Sequence, residues 1–224
     1  MAEWHPAAEE YCEAIFELGE DHIDVVQARI AERVGVSRAA VSLMVRRLDR
    51  DGLVEIEEGR ISLSADGLAL AERVVRRHRL AERLLTDMLG LTWAEAHHEA
   101  GKWEHVISPR VERAMAELLG DPTTCPHGNP IPGSGYAPPD VRALTDIEVG
   151  GRFVVERITE TLESTEGLLD FLETAGIKPG RPGTVTAHSP DGTVTVALGD
   201  RTVGVGVFAA DRILVADGSE RSVG

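Results

Sequence analysis

Apolar positions in the first part of the chain repeat with a helical period and then with the period of a strand. Stripes with helical spacing run over three segments, about residues 8–18, 25–34 and 38–51. The stretch 53–64 then alternates apolar and polar residues around Gly59, as a short hairpin does. Gly35 suits a tight turn before the third helix, and Ser37 suits its N-cap. Together these elements predict a winged helix-turn-helix domain over residues 1–64, with a three-helix domain and an incidental hairpin as the alternative.

Residues 65–140 carry longer helical stripes followed by an irregular segment. Ser64 is placed to cap a long helix, and Pro109 suits the first turn of a later one. The predicted helices cover about residues 65–89, 92–107 and 109–119. Their apolar residues exceed what these helices can bury among themselves, which favours a homodimer interface. From 121 to 140 the chain is rich in Pro, Gly, Thr and Ser, which indicates a linker.

From residue 145 to residue 224 the pattern changes to short apolar runs separated by turn residues. The runs GRFVVERI, GTVTAHS, TVTVALG, VGVGVFA and DRILVA are typical of strands, and Pro190-Asp191-Gly192 marks one turn. One helix interrupts them at about residues 166–175. This pattern predicts a small SH3-like β-barrel. The expected fold class is therefore mostly α with a β-rich C-terminal domain.

The composition is that of a globular protein without a membrane span. The chain has 224 residues, of which 42% are hydrophobic and 27% are charged. No apolar run approaches the roughly 20 residues of a membrane helix, and the N-terminal MAEWHPAAEEY is too polar for a signal peptide. Two cysteines, Cys12 and Cys125, are too few for a disulfide framework. These features predict a cytoplasmic protein with no membrane partner.

The charge of the chain is unevenly distributed. The formal net charge is −15, yet the segment from Val36 to Arg50 carries four arginines against the single acid Asp49. A local basic patch, rather than the net charge, decides the attraction to DNA phosphates. The residues expected to face base edges in the major groove are Ser37, Arg38, Ala39 and Ser42. The residues expected to contact phosphates are Arg29, Arg46, Arg47, Arg50 and Arg60, the alternative being a solvated helix face.

Imidazole, carboxylate and thiol groups recur at helical spacing after the first domain. His78 and Glu82 are four residues apart on the long helix, so their side chains project side by side. The next helix adds three such residues beside its apolar stripe: His97, Glu104 and His105. A CPHG segment supplies Cys125 and His127. Because all these groups are metal ligands, the joint pattern predicts a metal site between helices.

Each of these residues also has an ordinary interpretation. A single His on a helix is more often a surface or core residue than a ligand, and Glu/His pairs four residues apart also stabilise helices. Cys12 precedes Ile15 and Phe16 in an apolar stripe, so core packing is expected for it.

A metalloenzyme is an alternative function, although no segment marks a substrate-binding loop. A regulator that binds an organic effector and holds a structural metal is another.

Several segments resemble the diphtheria-toxin-repressor family of metal-dependent transcriptional regulators, which includes manganese-transport regulators. The resemblance is carried by RRHRLAERLLTD, EAGKWEHVIS, CPHGNPIPG and the helix-turn-helix segment QARIAERVGVSRAAVSLMVRRLDRDGLV. It covers nearly the whole chain. It implies a winged-helix domain, a helical dimerisation domain and an SH3-like domain similar to ferrous-transport accessory proteins. It also implies a repressor rather than an enzyme.

The resemblance implies two metal sites. It assigns to a regulatory site Glu10, Glu13, Gly101, Glu104 and His105. It assigns to an ancillary site His78, Glu82, His97, Cys125 and His127, completed by a carboxylate of the C-terminal domain. The candidates for that carboxylate are Glu160, Glu163 and Glu166, of which the last two are favoured.

Two departures from the family pattern bear on which metal is sensed. Iron-type members carry methionine where this chain has Glu10. Iron-type members carry cysteine, and some manganese-type members glutamate, where this chain has Gly101. Hard oxygen ligands suit Mn²⁺ better than a thioether does, so Mn²⁺ is expected, with Fe²⁺ as the alternative. Zn²⁺ and Co²⁺ are expected to bind in vitro because affinities follow the Irving–Williams order.

The expected partner is double-stranded operator DNA. A homodimer presents two recognition helices to a palindromic operator, with either one or two dimers at each site. The expected switch is a cation that joins Glu10 on the first domain to Glu104 and His105 on the second. Such a cation favours one orientation of the two domains and so raises the affinity for DNA.

Overall fold

The N-terminal domain, called the head below, is a winged helix-turn-helix. The structure, a computed structural model, describes residues 6–218. The elements of the head are α1 (Pro6–Glu20), α2 (Gln27–Val34), α3 (Arg38–Arg50), β1 (Val54–Glu57) and β2 (Arg60–Leu63). Gly35 ends α2 with a φ of 71°, and the Ser37 hydroxyl caps α3 by accepting a hydrogen bond from the Ala40 N–H. The predicted winged helix is confirmed.

A long helix joins the head to the second domain and belongs to the cores of both. This helix, α4 (Ala65–Arg83), packs Leu70 into the core of the head and Leu80 into the core of the helical domain. Gly67 makes the junction possible, because a Cβ at this position would lie 1.9 Å from the carbonyl oxygen of Leu53. The first turn of α4 therefore packs directly against the backbone that leads into the wing.

Two further helices complete the second domain. They are α5 (Trp93–Trp103) and α6 (Pro109–Leu118). Thr92 and Glu95 form a capping box at the start of α5, and the Ser108 side chain caps α6. Large apolar side chains that stay exposed in this region include Met88, Leu89, Val106, Val111 and Leu118. Such an apolar surface is available for contact with a second copy of the chain.

The C-terminal domain is a six-stranded antiparallel sheet with three short helices. Its strands are β3 (Arg142–Ala143), β4 (Arg152–Ile158), β5 (Pro182–His188), β6 (Val194–Leu198), β7 (Arg201–Val205) and β8 (Ile213–Asp217). Its helices are α7 (Glu160–Glu163), α8 (Leu168–Ala175) and α9 (Val207–Ala210). The strand order is β3-β8-β4-β5-β6-β7, and register shifts in β4 and β5 bend the sheet. Trp93 of α5 joins the core of this domain, which fastens it to the helical domain.

The chain departs from the predicted elements in several places. The helix α5 ends at Trp103, so Glu104 and His105 follow it in a turn, and the short strand β3 was not predicted. The long helix continues past α4 as a π-helical turn, Leu84–Met88, instead of a regular α-helix. The predicted strand VGVGVFA divides into β7 and α9 at Gly206. The single turn α7 was not predicted, because four residues are too few to show a helical period. In the part of the chain that the structure describes, no helix combines the length and hydrophobicity needed to cross a membrane.

We expect Gly67→Ala to destabilise the protein by roughly 1–3 kcal/mol, the usual cost of overpacking, because the added methyl overlaps the carbonyl of Leu53. Gly19→Ala in α1 is the matched control, since nothing lies within 4 Å of a Cβ there. This control is expected to be neutral or stabilising by up to about 1 kcal/mol. Urea unfolding followed by circular dichroism measures both, and equal stability of the two variants would contradict the packing argument.

Candidate metal centre and DNA-binding surface

One face of α1 buries three carboxylates spaced four residues apart. Glu9, Glu13 and Glu17 are each less than a tenth exposed, and they follow the side of α1 that packs against α4. Buried carboxylates need hydrogen-bonded or charged partners. The partners are His105 for Glu9 and Arg33 for Glu17. Glu13 has the His78 imidazole nearby but also the like-charged Glu104, with ligand atoms of all three within 4.8 Å of one another. The stripe therefore connects the head to several other elements.

The first candidate ligand group, called the outer cluster, lies between α1, α4 and the end of α5. Its members are Glu9, Glu13, His78, Glu104 and His105. Glu104 is central, with Oε2 2.5 Å from Nδ1 of His78 and Oε1 3.2 Å from Nε2 of His105. Oε2 of Glu9 lies 2.8 Å from Nδ1 of His105. Ligand atoms of Glu13, His78 and Glu104 lie within 4.8 Å of one another, which is close enough for one cation to contact all three.

Two residues predicted for the regulatory site lie at the entrance of the outer cluster. Glu10 and Gly101 are exposed, and both line an open cavity of about 590 Å³ that also reaches Glu104. A Cβ at Gly101 would meet nothing within 4 Å, so this position leaves room beside the cluster. Sequence reasoning missed Glu9, the carboxylate of α1 that contacts His105. The four-residue spacing from Glu9 to Glu13 was the signal that could have identified it.

The second candidate ligand group, called the inner cluster, lies deeper, between α4, α5, the CPHG segment and α7. Its members are Glu82, His97, Cys125, His127 and Glu163. Oε1 of Glu82 lies 3.0 Å from Nδ1 of His97 and 3.2 Å from Nε2 of His78. Oε2 of Glu163 lies 2.9 Å from Nδ1 of His127 and 3.5 Å from Nδ1 of His97. His78 therefore contacts both clusters, one through each ring nitrogen.

The CPHG segment points its thiol and imidazole inward because its backbone is fixed to β4. The Ile158 N–H donates to the carbonyl of His127 at 2.8 Å. Gly128 has a φ of 91°, and a Cβ there would lie 2.1 Å from the carbonyl oxygen of Glu156. Cys125 and His127 are both fully buried, and their ligand atoms lie within 4.8 Å of a Glu82 oxygen. The glycine thus permits the close approach that brings these two side chains to the inner cluster.

The turn α7 decides which carboxylate of the C-terminal domain reaches the inner cluster. Glu163 is buried there and accepts a hydrogen bond from the Asn129 side chain. Glu160 is also buried but pairs with Arg79, at 2.6 Å. Glu166 lies beyond the end of α7 and is exposed. Of the three candidates, Glu163 is brought to the cluster and Glu166, favoured equally from the sequence, is not.

Burial alters the acid–base behaviour of several candidate ligands. Burial, reinforced by nearby carboxylates, raises the pKa of Glu13 and the pKa of Glu163 well above their usual range. Burial likewise raises the pKa of the Cys125 thiol. Against the effect of burial, the charge of nearby imidazoles such as His127 holds the pKa of Glu82 well below its usual range. Protons on the first three groups have to leave if a cation binds to them.

Unsatisfied polar atoms in the inner cluster fit a divalent cation. Oε2 of Glu82 and Nε2 of His127 are buried and have no hydrogen-bond partner within residues 6–218. A buried polar atom without a partner costs about 1–3 kcal/mol. A cation offers such atoms the interaction that the protein does not. The mixed oxygen, nitrogen and sulfur donors of the two clusters suit a transition metal ion.

The recognition helix α3 presents most of its predicted DNA-contacting residues to solvent. The exposed ones are Arg38, Ala39, Arg46, Arg47 and Arg50, while Ser42 is half-buried. Ala40 is exposed as well, because the buried stripe of α3 runs through Val41, Val45 and Leu48. Sequence reasoning passed over Leu43, which is 68% exposed one turn after Ala39. An apolar side chain exposed on a recognition helix is suited to contact thymine methyl groups.

The two remaining arginines of the predicted surface are exposed and lie beside acids. Arg29 pairs with Glu32 at 2.8 Å, and Arg60 of the wing lies 3.3 Å from Asp24. Such exposed pairs contribute little to stability, so both guanidinium groups remain available to a phosphate. Ser37 caps α3 with its hydroxyl, which limits its capacity to read bases.

Three family models match successive parts of the chain. Residues 4–60 match the iron dependent repressor N-terminal DNA binding domain, residues 64–133 the iron dependent repressor metal binding and dimerisation domain, and residues 142–217 the FeoA domain. The iron-dependent repressor IdeR of Mycobacterium tuberculosis is 40% identical over 210 residues, which cover 88% of this chain and 91% of that protein. The chain belongs to the iron-dependent repressor family. The diphtheria toxin repressor of Corynebacterium efficiens is 43% identical over 183 residues, covering 77% of this chain and 79% of that protein.

The chain is also similar in structure to solved proteins, some of which are named for manganese. A manganese-dependent transcriptional repressor in complex with manganese superposes with a TM-score of 0.84 at 34% identity, covering 94% of this chain and 99% of that one. The IdeR of T. acidophilum gives a TM-score of 0.78 at 28% identity, covering 93% of this chain and 97% of that one. Relatives named for iron and for manganese thus share this architecture.

We expect Glu163→Gln to stabilise the metal-free protein above about pH 4.3, the unfolded pKa of glutamate, and increasingly so as the pH rises. The reason is that the pKa of Glu163 is higher in the folded protein than in the unfolded chain. The free energy of unfolding therefore falls once the pH is high enough for this carboxyl to ionise in the unfolded chain. In Mn²⁺ the wild type should be the more stable of the two proteins, because the variant lacks a carboxylate ligand. Thermal unfolding in chelator and in Mn²⁺ measures both effects.

The matched control for this experiment is Glu166→Gln, three residues away and exposed. It should behave as the wild type does in chelator and in Mn²⁺. If Mn²⁺ raised the melting temperature of Glu163→Gln as much as that of the wild type, Glu163 would not be a ligand.

Proposed function

We propose that this protein is a dimeric, metal-dependent DNA-binding repressor that senses Mn²⁺ in the cytoplasm and controls genes of metal homeostasis. The observation that carries the proposal is the pair of buried ligand clusters between a winged-helix head and the rest of the chain. The relatives named above are repressors, and they include one named for iron dependence and one named for manganese dependence. An enzymatic role has less support, because the relatives named above are transcriptional repressors.

Two ion-binding sites follow from the two clusters. The outer cluster supplies Glu9, Glu13, His78, Glu104 and His105, with Glu10 at the cavity entrance as a further oxygen ligand. The inner cluster supplies Glu82, His97, Cys125, His127 and Glu163. Because His78 faces both clusters, it couples occupancy of one site to that of the other. The outer site is the regulatory one, since it joins the head to α5.

The switch rests on like charges that face each other across a domain boundary. Glu9 and Glu13 belong to the head, whereas Glu104 belongs to the helical domain. A bound divalent cation supplies the positive charge that lets these carboxylates converge while ionised. The carboxylates then hold α1 against α4 and α5 in one orientation, and α3 moves with α1. If the ion and the operator both bind this orientation more tightly than others, each of them increases its population. The ion then raises the affinity for the operator.

The donor set favours Mn²⁺ over Fe²⁺ at the outer site. Glutamate oxygens dominate this site, and a thioether or thiol is absent from the members named above. Hard oxygen donors suit Mn²⁺. Fe²⁺ remains the second candidate, because IdeR of Mycobacterium tuberculosis, named for iron dependence, is 40% identical to this chain. Zn²⁺ and Co²⁺ bind such ligands in vitro whatever the physiological ion is.

The DNA partner is a palindromic operator bound by two copies of α3. The exposed apolar side chains of the helical domain, Met88, Leu89, Val106, Val111 and Leu118, support dimerisation there. Exposed arginines of α3 supply phosphate contacts, and Leu43 with Ala39 supplies apolar contacts to base edges. A dimer or a pair of dimers on each operator is compatible with this surface.

We expect Mn²⁺ to raise operator affinity at least about tenfold in the wild type, the scale of common allosteric couplings, and Glu13→Gln to abolish most of this gain. The reason is that Gln keeps the volume of the side chain but not the charge that a cation requires. Anaerobic titrations with Mn²⁺ and Fe²⁺ against DNA obtained by in vitro selection measure the effect. Glu72→Gln, on an exposed position of α4, is the matched control. Equal activation of all three proteins would contradict the proposed switch.

We expect Arg46→Ala to weaken operator binding and to lower the slope of log affinity against log salt concentration by about 1, as loss of one phosphate contact does. Leu43→Ala should weaken binding without changing that slope, because an apolar contact releases no counterion. Fluorescence anisotropy between low and physiological salt separates the two behaviours. Identical slopes for Arg46→Ala and the wild type would remove Arg46 from the phosphate contacts.

A further inference from the structure

The single turn α7 lies where the head, the helix α4 and the inner cluster meet. It consists of Glu160, Thr161, Leu162 and Glu163. Glu160 and Glu163 are 2% and 5% exposed, although both are acids. Side chains three residues apart on one helical turn are neighbours, so they move together when the turn moves. Each of the two acids is engaged by a different part of the molecule.

The contact of α7 with the head runs through Arg33 of α2. Nη1 of Arg33 donates to the backbone carbonyl of Glu160 at 2.9 Å, and Nη2 lies 3.6 Å from Oε2 of Glu160. Nε of Arg33 also donates to Oε2 of Glu17 on α1, at 2.9 Å. Arg33 lies two residues before Gly35, the turn of the helix-turn-helix. A guanidinium of the DNA-binding unit is thus held directly by the C-terminal domain.

A second contact joins α7 to the end of α1. Oδ2 of Asp21 accepts hydrogen bonds from the N–H of Thr161 at 3.2 Å and from its hydroxyl at 3.0 Å. Oδ1 of Asp21 lies 2.7 Å from Nη2 of Arg157 on β4. The head is therefore attached to the C-terminal domain at both helices that precede α3.

The contact with α4 runs through Arg79, the residue after His78. Nη2 of Arg79 lies 2.6 Å from Oε1 of Glu160 and 2.6 Å from Oε2 of Glu20 on α1. Arg79 is 1% exposed. Removing one partner from such a buried pair leaves a charge without compensation, which is strongly destabilising. The charges of Arg79, Glu160 and Arg33 therefore keep the three elements in a fixed arrangement.

We propose that α7 transmits occupancy of the inner cluster to the DNA-binding head, with Glu160 and Arg33 as positioning residues. When Glu163 is drawn toward its ligands, Glu160 on the same turn is fixed with it, and Arg33 holds α2 to Glu160. The inner site then contributes to DNA affinity rather than to stability alone. This inference rests on the proposed function, because it assumes that a divalent ion occupies the inner cluster.

The test uses the full-length protein and the variants Glu160→Gln, Arg33→Gln and the double variant. Calorimetry measures Mn²⁺ binding, hydrogen exchange measures protection of residues 27–50 with and without Mn²⁺, and anisotropy measures operator binding in both conditions. Glu148→Gln is the matched control, an exposed carboxylate in the same domain. Thr161→Val removes the hydroxyl contact to Asp21 without changing any charge, and it replaces Glu160→Gln if that variant does not fold.

We expect both single variants to bind Mn²⁺ and to lose the Mn²⁺-dependent protection of residues 27–34. At saturating Mn²⁺ their stimulation of operator binding should fall about tenfold, within the usual range of coupling between sites. The double variant should be no worse than either single variant, because the two residues act through one contact. Without Mn²⁺ both variants should already lose some protection, because a buried ionic contact is broken. The coupling is therefore measured as the gain in protection and in operator binding on adding Mn²⁺, which a merely structural role would leave unchanged.

Wild-type protection and stimulation in variants that bind Mn²⁺ would overturn the proposal, as would strictly additive effects in the double variant. Loss of protection that is equal with and without Mn²⁺ would also overturn it, since it indicates a structural role. A different result would separate the two proposals. If Mn²⁺ protected residues 27–34 of the wild type but did not change its operator binding, the proposed function would be contradicted, whereas the coupling through α7 would not.

Discussion

Burial of carboxylates between the head and α4 is the constraint on which the rest of the structure depends. Glu9, Glu13 and Glu17 lie on the inward face of α1, and Glu20 continues the row at its end. Transfer of an ionised carboxylate out of water costs several kcal/mol unless a charged or hydrogen-bonding group compensates it. The helix α1 carries no basic side chain, so compensating positive charge comes from His78, Arg79, Arg33 and His105 on other elements. The position of the head therefore depends on ionic contacts that a cation can strengthen.

The position of the head affects the other two domains, because neighbouring domains share helices and core residues. The first half of α4 lies in the core of the head, and Trp93 of α5 lies in the core of the C-terminal domain. Trp93 also packs edge-on against His127, with ring centroids 4.7 Å apart. A change at either ligand cluster consequently acts on side chains that are already packed against two domains. Packed interiors respond to such changes by moving as units rather than by local deformation.

Long periodic segments could be predicted from the sequence, and short or context-dependent ones could not. The head, α4 and the main strands show clear periods, and capping residues such as Ser37 and Thr92 mark helix starts. The turn α7 is too short to show a period, and the segment of α9 is apolar enough to suit a strand or a helix. Among candidate ligands, those four residues apart on one helix were recognised, as with His78 and Glu82. Glu9 was passed over because the resemblance to the family assigns the neighbouring position, Glu10, to the regulatory site.

The sequence alone determined the fold class, the family and the residue types that gather at the metal centre, because each is encoded by local spacing along the chain. Only the tertiary structure decided which carboxylates meet. It buried Glu163 and left Glu166 in solvent, it turned His78 toward two clusters, and it set Glu160 between Arg79 and Arg33. These outcomes depend on the packing of elements up to 140 residues apart, as in the contact of Asp21 with Thr161, and 127 residues apart in the pairing of Arg33 with the Glu160 backbone. Local periodicity carries no information about such distances, so the connection between metal site and DNA-binding head emerges only in three dimensions.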